Sequence, residues 1–571
     1  MIITLNGISI NDFSIQTVGE LVRSKEFITE MEKYIEKSTG CGVSNQNLSQ
    51  ILLFVDESLP DEGIAIELNE KGVLSISGQC ERALFYAMYE FWERYIGWRF
   101  YSFDDEHLLP CDKIELSPFS FTFEPKFKFR FSYTSGAFRD DIKRRQKGNF
   151  SVDNNTDPTV VKHTAIDGKW GHTFFKYVSP DEYFESHPEY FSMDEKGERI
   201  KNGQLCLTNE NVYKIVEEKL IREATENPDI EFVSFSQNDW AGGCVCENCK
   251  KQTEQYQANI APIIIFLNRI GKKFKELGIK TKLLTFSYHW TTAAPKGLEI
   301  EDNIYIWQAT MNRCNEHSLT DPNCRWNGDM LKALFDWKAL GVNTFLWTYV
   351  TSFQNYFVNL PKNILFLYDD FQIYKKLNVQ GLMVQNSGDS RLHFAPLWGY
   401  LTARMSWDIH LTYSDYMQMI KEYLVFHYGK GWYEMLSYIY LYASLRVSDK
   451  CYNPYPTAQM AVPYFCFPDG QYDTYFFDAA YALLEKAEEK AETEEFKLNV
   501  DQIRMCVDFL HLEVTHASRI QMEQEGIIQE AKRLYDKIKK YNVTKMSEGK
   551  GVAAEEEIDF TRPPSEWLQK K

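Results

Sequence analysis

The sequence predicts an α/β protein built on a (β/α)8 barrel of the TIM type, preceded by a small α/β domain and followed by an α-helical C-terminal region. Three observations carry that expectation. Between about residues 125 and 410, near-continuous apolar runs alternate with amphipathic, helix-period segments, the pattern of a parallel sheet covered on both faces. Roughly seven or eight such units fill that span, which suits a closed barrel. No Gly-x-Gly-x-x-Gly follows any run, so the doubly wound open sheet is disfavoured.

Taken in order, residues 1–118 read as the N-terminal domain. Short β-rich runs at 51–55 and 73–77 precede a helix-period segment over 81–95, which Gly97 stops. The barrel region, 125–410, offers strand candidates at Phe129–Tyr133, 173–178, 232–236, 283–288, 304–308, 344–349 and Gly381–Gln385. A polar insertion rich in Asn, Asp, Lys and Arg, 139–168, interrupts it early. The last region, 411–571, is helical, with segments at 413–426, 432–446, 478–492 and 499–540 and a charged, frayed end over 547–571.

Composition narrows the partners. The 571 residues carry 63 Lys+Arg against 81 Asp+Glu, a net charge of −18, which repels phosphate backbones and anionic lipid. Neither nucleic acid nor membrane is therefore expected as a partner. The 39 Phe, 34 Tyr and 13 Trp fill a large core and leave rings for a neutral, ring-shaped ligand such as a sugar. No apolar run is long enough to span a bilayer, and the start lacks the basic and apolar regions of a signal peptide. With 12 scattered cysteines, a cytoplasmic protein is expected, or an exported one if a leader is missing from the sequence. The oligomeric state is left open.

In a barrel the chemistry lies at the C-terminal strand ends. The expected fourth strand runs out into Gln237, Asn238, Asp239 and Trp240 before two glycines. A carboxyl group between an amide and an indole suits sugar chemistry. Asp239 is the expected proton donor, its pKa raised by burial near Trp240, and Asn238 the hydrogen-bond partner of a substrate amide or hydroxyl. A helix cap or turn at Asp239 is the alternative. Other strand ends contribute Tyr288, His289, Trp290, Gln308, Arg313, Trp347, Tyr349 and Gln385, an amide- and aromatic-lined pocket. Cys244, Cys246 and Cys249, with Cys206 as a fourth, could hold a structural zinc or simply pack as thiols. No catalytic metal or cofactor is expected. Metalloprotease, P-loop and Gly-x-Ser-x-Gly motifs are absent.

These residues, with segments 82–99, 187–191, 204–209, 236–239, Arg313-Cys314, His317, 347–349, the stretch after Pro361 and 397–408, resemble glycoside hydrolase family 163, a family formerly of unknown function and common in Bacteroides. The resemblance spans roughly residues 80–430. It implies a barrel glycosidase acting on β-linked N-acetylglucosamine in glycans, as endo-β-N-acetylglucosaminidases do. It also implies retaining hydrolysis assisted by the substrate's own acetamide, with Asn238 orienting that group and Asp239 as acid/base. The chain departs from the family's Glu-Gln-Gly at the last strand, where it has Val384-Gln385-Asn386. Two other readings stay open. One is a glycosidase for a uronic acid, with Arg130, Arg313 and His172 clamping the carboxylate. The other is an inactive, glycan-binding barrel, which Val384 would favour.

Overall fold

The computed structural model describes residues 1–44, 46–102, 104–133, 136, 139–151, 162–163, 169–314, 317–351, 353, 355–358, 363–387, 391–444, 474–517 and 524–568. Most of the polar insertion, Pro361 and the end of the helix expected over 432–446 lie outside them.

The N-terminal sheet combines β1 (Phe13–Val18), β2 (Ser49–Val55), β3 (Ile64–Leu68), β4 (Leu74–Gly78) and β5 (Phe119–Phe123) in the order β5-β3-β4-β2-β1. It takes in residues beyond position 118. Its alternating Ile and Leu bury one face against α1 (Ser24–Thr39) and α2 (Glu81–Phe91). All but the first two residues of α2 are buried, because the helix lies between this sheet and the next domain.

Six parallel strands form the second sheet: β6 (Phe129–Tyr133), β7 (Phe232–Ser234), β8 (Lys282–Ser287), β9 (Ile304–Ala309), β10 (Asn343–Tyr349) and β11 (Gly381–Gln385). Their order, β6-β11-β10-β9-β8-β7, is that of a barrel in which the first strand meets the last. The sheet curls far enough that Phe129 on β6 and Phe232 on β7, at opposite edges, touch with ring centroids 5.3 Å apart.

The expected closed, eight-stranded barrel is therefore a curled half-barrel among the described residues. Its open side lies between β6 and β7. There Phe150–Ser151 and Lys162–His163 form only a two-residue parallel pair. The strand expected over 173–178 is instead a helical turn, Phe174–Tyr177. Its preceding residues spend their polar groups on the end of β7: the Thr173 and Phe174 amides donate to Ser236 O, and Thr173 Oγ1 donates to Ser234 O. That leaves no ladder for a strand to extend.

Helices cover the outer face. Among them α3 (Glu210–Glu226) is capped by Asn209, whose side chain accepts from the amides of Asn211 and Val212. After β7 come α4 (Glu247–Tyr256) and α5 (Ala261–Glu276), then α6 (Arg325–Ala339) after β9, α7 (Asn363–Leu377) after β10 and α8 (Ala395–Trp407) after β11. The C-terminal region continues with α9 (Tyr413–Tyr428), α10 (Trp432–Ser444), α11 (Thr474–Lys490), α12 (Glu494–Ala517) and α13 (Gln524–Lys540), which share one core with α7 and α8. The helical stretch expected over 499–540 is helix throughout its described residues up to Ala517 and from Gln524 to Lys540, with 518–523 outside them. Among the described residues the tail expected to fray is packed: Val552 bridges Leu568, and Trp567 is sealed at 2% exposure. No described helix is long and apolar enough to cross a membrane.

Candidate active site at the C-terminal edge of the curled sheet

Side chains alternate along each strand, so one set faces into the curl. Phe129, Phe131, Phe232, Phe286, Tyr305, Trp307 and Phe345 fill it with rings. Trp170 and Trp347 stand above them, each partly exposed, with centroids 5.2 Å apart. Tyr288 at the end of β8, and Tyr349 and Gln385 at the ends of β10 and β11, complete the rim. The result is an aromatic floor under an open mouth, the surface a sugar's C–H face stacks on.

Beyond β7 the chain turns sharply and is clamped. Gln204 accepts from the Asn238 amide at 2.9 Å and donates to the carbonyls of Asn238 and Trp240. The Trp290 indole donates to Trp240 O at 3.0 Å and its ring lies against Gly243, where a Cβ would come within 2.8 Å of it. Held this way, Asp239 stands exposed and accepts from the Tyr288 hydroxyl at 3.1 Å. His172 and His289 flank the mouth in left-handed backbone, φ 53° and 55°. Such strain, of order 1–3 kcal/mol per residue, gathers where a site dictates the geometry. His172 Nδ1 donates to Gln237 O at 2.8 Å, so Nε2 is the nitrogen left for a ligand.

A second carboxylate arrives from the far end of the chain. The Glu548 amide donates to Phe353 O, and the Tyr356 amide to Met546 O, which docks the segment around 546–550 on the loop after β10. Glu548 is exposed at this edge, and partial desolvation, then the negative charge of Asp239, shift its carboxyl above the usual glutamate range. Burial also drives the Tyr349 phenol far up, helped by Tyr288, Asp239 and Glu548, so Tyr349 keeps its proton as a donor. Sequence reasoning missed Glu548 because it sits in a charged, low-signal tail. A cavity of about 570 Å³ adjoins the mouth and shares Trp240 and Trp290 with it. A larger one, about 870 Å³, lies by Asp105, His107 and His427 and shares no lining residue with this mouth.

Several expected residues take other places. Asp239 is not buried against Trp240, which is itself 48% exposed, so burial by the indole does not set its chemistry. Asn238 donates its amide to Gly203 O at 2.9 Å and holds the loop, rather than facing the mouth. Arg130 is 2% exposed and points out of the curl into Glu62 of the N-terminal domain at 2.6 Å. Arg313 is paired with Asp370 of α7 at 2.5 Å. Neither can clamp a uronate, because each is spent on a buried partner. Val384 also faces outward. Its neighbour in register, Ser132, donates to Gly399 O of α8, and Val384 packs in the outer core. A glutamate at that position would be inside the wall, not in the mouth, so Val384 says nothing against activity. The four cysteines converge at the base of the Asp239 loop, their sulfurs all within 4.8 Å of one another.

The family model described as "Domain of unknown function (DUF4838)" matches residues 100–438, more than half the chain. The chain belongs to the DUF4838 family. No curated protein matches this DUF4838 protein in sequence. Among solved structures, its fold is similar to that of a family GH115 4-O-methyl-α-glucuronidase specific for decorated arabinogalactans, at TM-score 0.57 and 10% identity, covering 94% of this chain and 78% of that one. It is also similar to a family 89 glycoside hydrolase from Clostridium perfringens in complex with 2-acetamido-1,2-dideoxynojirimycin, at TM-score 0.50 and 10% identity, covering 90% of this chain and 65% of that one. At these identities what is shared is the fold: a curled parallel sheet with flanking helices, as in glycoside hydrolases.

Proposed function

We propose that this DUF4838 protein is a glycoside hydrolase. The observation that carries the reading is an exposed carboxyl, Asp239, held by the Tyr288 hydroxyl beside an aromatic floor at the C-terminal edge of the sheet, with Glu548 near enough for its carboxyl to respond to the Asp239 charge. Glycosidic bonds are cut by such paired carboxyl groups, one protonated and one charged. Glu548, docked beside the mouth and shifted upward by partial desolvation and by Asp239, is the group assigned to protonate the leaving oxygen. Asp239, steadied by Tyr288, is the anion that faces the developing positive charge or orients a substrate amide.

The inferred substrate is a glycan containing β-linked N-acetylglucosamine, cut with retention by acetamido assistance. The resemblance of the sequence to glycoside hydrolase family 163 supports this, as does a neutral rim built from Tyr288, Tyr349, Gln385 and tryptophans. The uronic acid reading has lost its arginine clamp.

The test is turnover of aryl β-N-acetylglucosaminides and N-glycans by the wild type, Glu548→Gln and Asp239→Asn. Wild type should release a reducing N-acetylglucosamine end. Glu548→Gln should lose about 10²–10⁴-fold on glycans, yet little on an aryl glycoside whose leaving group needs no proton. Asp239→Asn should lose activity on both. Equal losses on both substrates in Glu548→Gln would remove it as the acid, and no release from any substrate by folded wild type would remove the enzyme.

A further inference from the structure

We infer that Cys206, Cys244, Cys246 and Cys249 hold a structural zinc ion. Cys206 follows the bridged segment over 191–205, Cys244 and Cys246 lie on the loop after β7, and Cys249 is on the first turn of α4. Their four sulfurs all lie within 4.8 Å of one another, and Cys206 Sγ is 3.7 Å from Cys246 Sγ. A tetrahedral zinc with arms of about 2.3 Å needs sulfur–sulfur edges of about 3.8 Å. A disulfide needs about 2.05 Å, and all four cysteines are free. The thiols are thus at ligand spacing rather than bonding distance.

The surroundings are those of thiolates rather than of apolar packing. The Met193 amide donates to Cys244 Sγ at 3.4 Å, and Arg199 Nη1 reaches the same sulfur at 4.0 Å. Thr208 Oγ1 lies 3.3 Å from Cys249 Sγ and 3.7 Å from Cys246 Sγ. Cys246 stands at the N-terminal boundary of α4, which brings the positive end of that helix to the cluster. Four thiolates around a dication leave two negative charges, and Arg199, the amide and the helix end are placed to offset them. Soft sulfur donors in a tetrahedron select zinc over magnesium or calcium. With four protein ligands the shell is closed, so the ion is structural and has no position for substrate.

Its place gives it a task. Gln204, the clamp on the Asn238 amide and the Trp240 carbonyl, is two residues from Cys206. The Val245 amide donates to Met193 O at 3.0 Å within the same knot. A zinc here ties the loop after β7 to the segment that positions it, whatever reaction that loop serves, so the inference stands apart from the glycosidase reading.

Elemental analysis of the purified full chain after dialysis against metal-free buffer tests it. Wild type is expected to carry a zinc that a thiol-mercurating reagent releases to a chromogenic chelator, and Cys249→Ser and Cys244→Ala should each lose one equivalent. Should both variants prove insoluble, the wild-type release still decides. A second measurement is tryptic cleavage at Lys250 and Lys251, expected to quicken at least about tenfold once a strong chelator has stripped the metal. Wild type from zinc-supplemented culture with less than about a tenth of an equivalent, iron in its place, zinc unchanged in soluble variants, or cleavage indifferent to chelation would each overturn the inference.

Discussion

Glu62 is completely buried and accepts from Arg130 and Arg82, each at 2.6 Å, and from Asn149 at 2.7 Å. Arg130 in turn also donates to the carbonyls of Lys147 and Phe127. Removing one charge from such a group strands the other, which costs about 3–5 kcal/mol. Glu62→Gln should therefore lower the urea midpoint by that equivalent without changing the slope of the transition. The sequence could show Arg130 at a strand, but not that the side chain points outward. Inward and outward positions differ by one residue, and the partner is 68 positions away. The same one-residue parity placed Val384 in the wall and Gln385 at the rim. Asp239 and its Tyr288 partner were legible because both sit where an apolar run ends.

At the scale of the element, β11 shows how a strand makes room for its neighbours. A Cβ on Gly381 would lie 2.8 Å from both Phe129 Cβ and Phe345 Cδ1, so the glycine lets those rings meet Phe232 inside the curl. Gly381→Ala should cost about 1–3 kcal/mol by overpacking, read as a lower melting temperature. Helix α12 carries a different signature. Burial pushes the Glu513 carboxyl up to about 7, and Ser565 of the tail donates its amide to it. A carboxyl raised on folding lends stability that is present below its unfolded pKa and is lost as pH rises through the folded value. Stability should thus fall between about pH 4.5 and 7, by an order of 3 kcal/mol, and Glu513→Gln should flatten that fall in pH-dependent denaturation. The strands of the curl were legible as apolar runs. The missing barrel strands were not, since residues 173–178 have strand composition but the amides of Thr173 and Phe174 go to Ser236 O and those of Lys176 and Val178 close a helical turn.

For the whole molecule, the joint between the N-terminal domain and the curled sheet is ionic and buried. Glu90 of α2 is fully buried and accepts from Arg404 at 3.2 Å and from the Trp407 indole at 3.1 Å, both on α8, while Lys147 lies 3.4 Å away. Burial pushes this carboxyl up, but Arg404, Lys147 and Arg94 outweigh it and hold it well below the usual range. A carboxyl lowered on folding gives stability that is present above its unfolded pKa and lost as pH falls through the folded one. The joint should fail in acid, and Glu90→Gln should weaken the protein at neutral pH while making its acid limb shallower, as measured by denaturation from pH 7 to 3. Three regions could be told apart in the sequence by their rhythm. Their mutual docking could not, because it rests on pairs such as Glu90 and Arg404, 314 positions apart.

Glu548 reaches the mouth from a segment made after every strand of the sheet. A ribosome will have extruded β6 to β11, with Asp239 and the tryptophans, before it reaches residue 548. On the proposed reading, the half-made protein then has its aromatic floor but not the group assigned as its acid. Activity on that reading waits until residues 546–550 dock on the loop after β10, a timing written into the order of the chain.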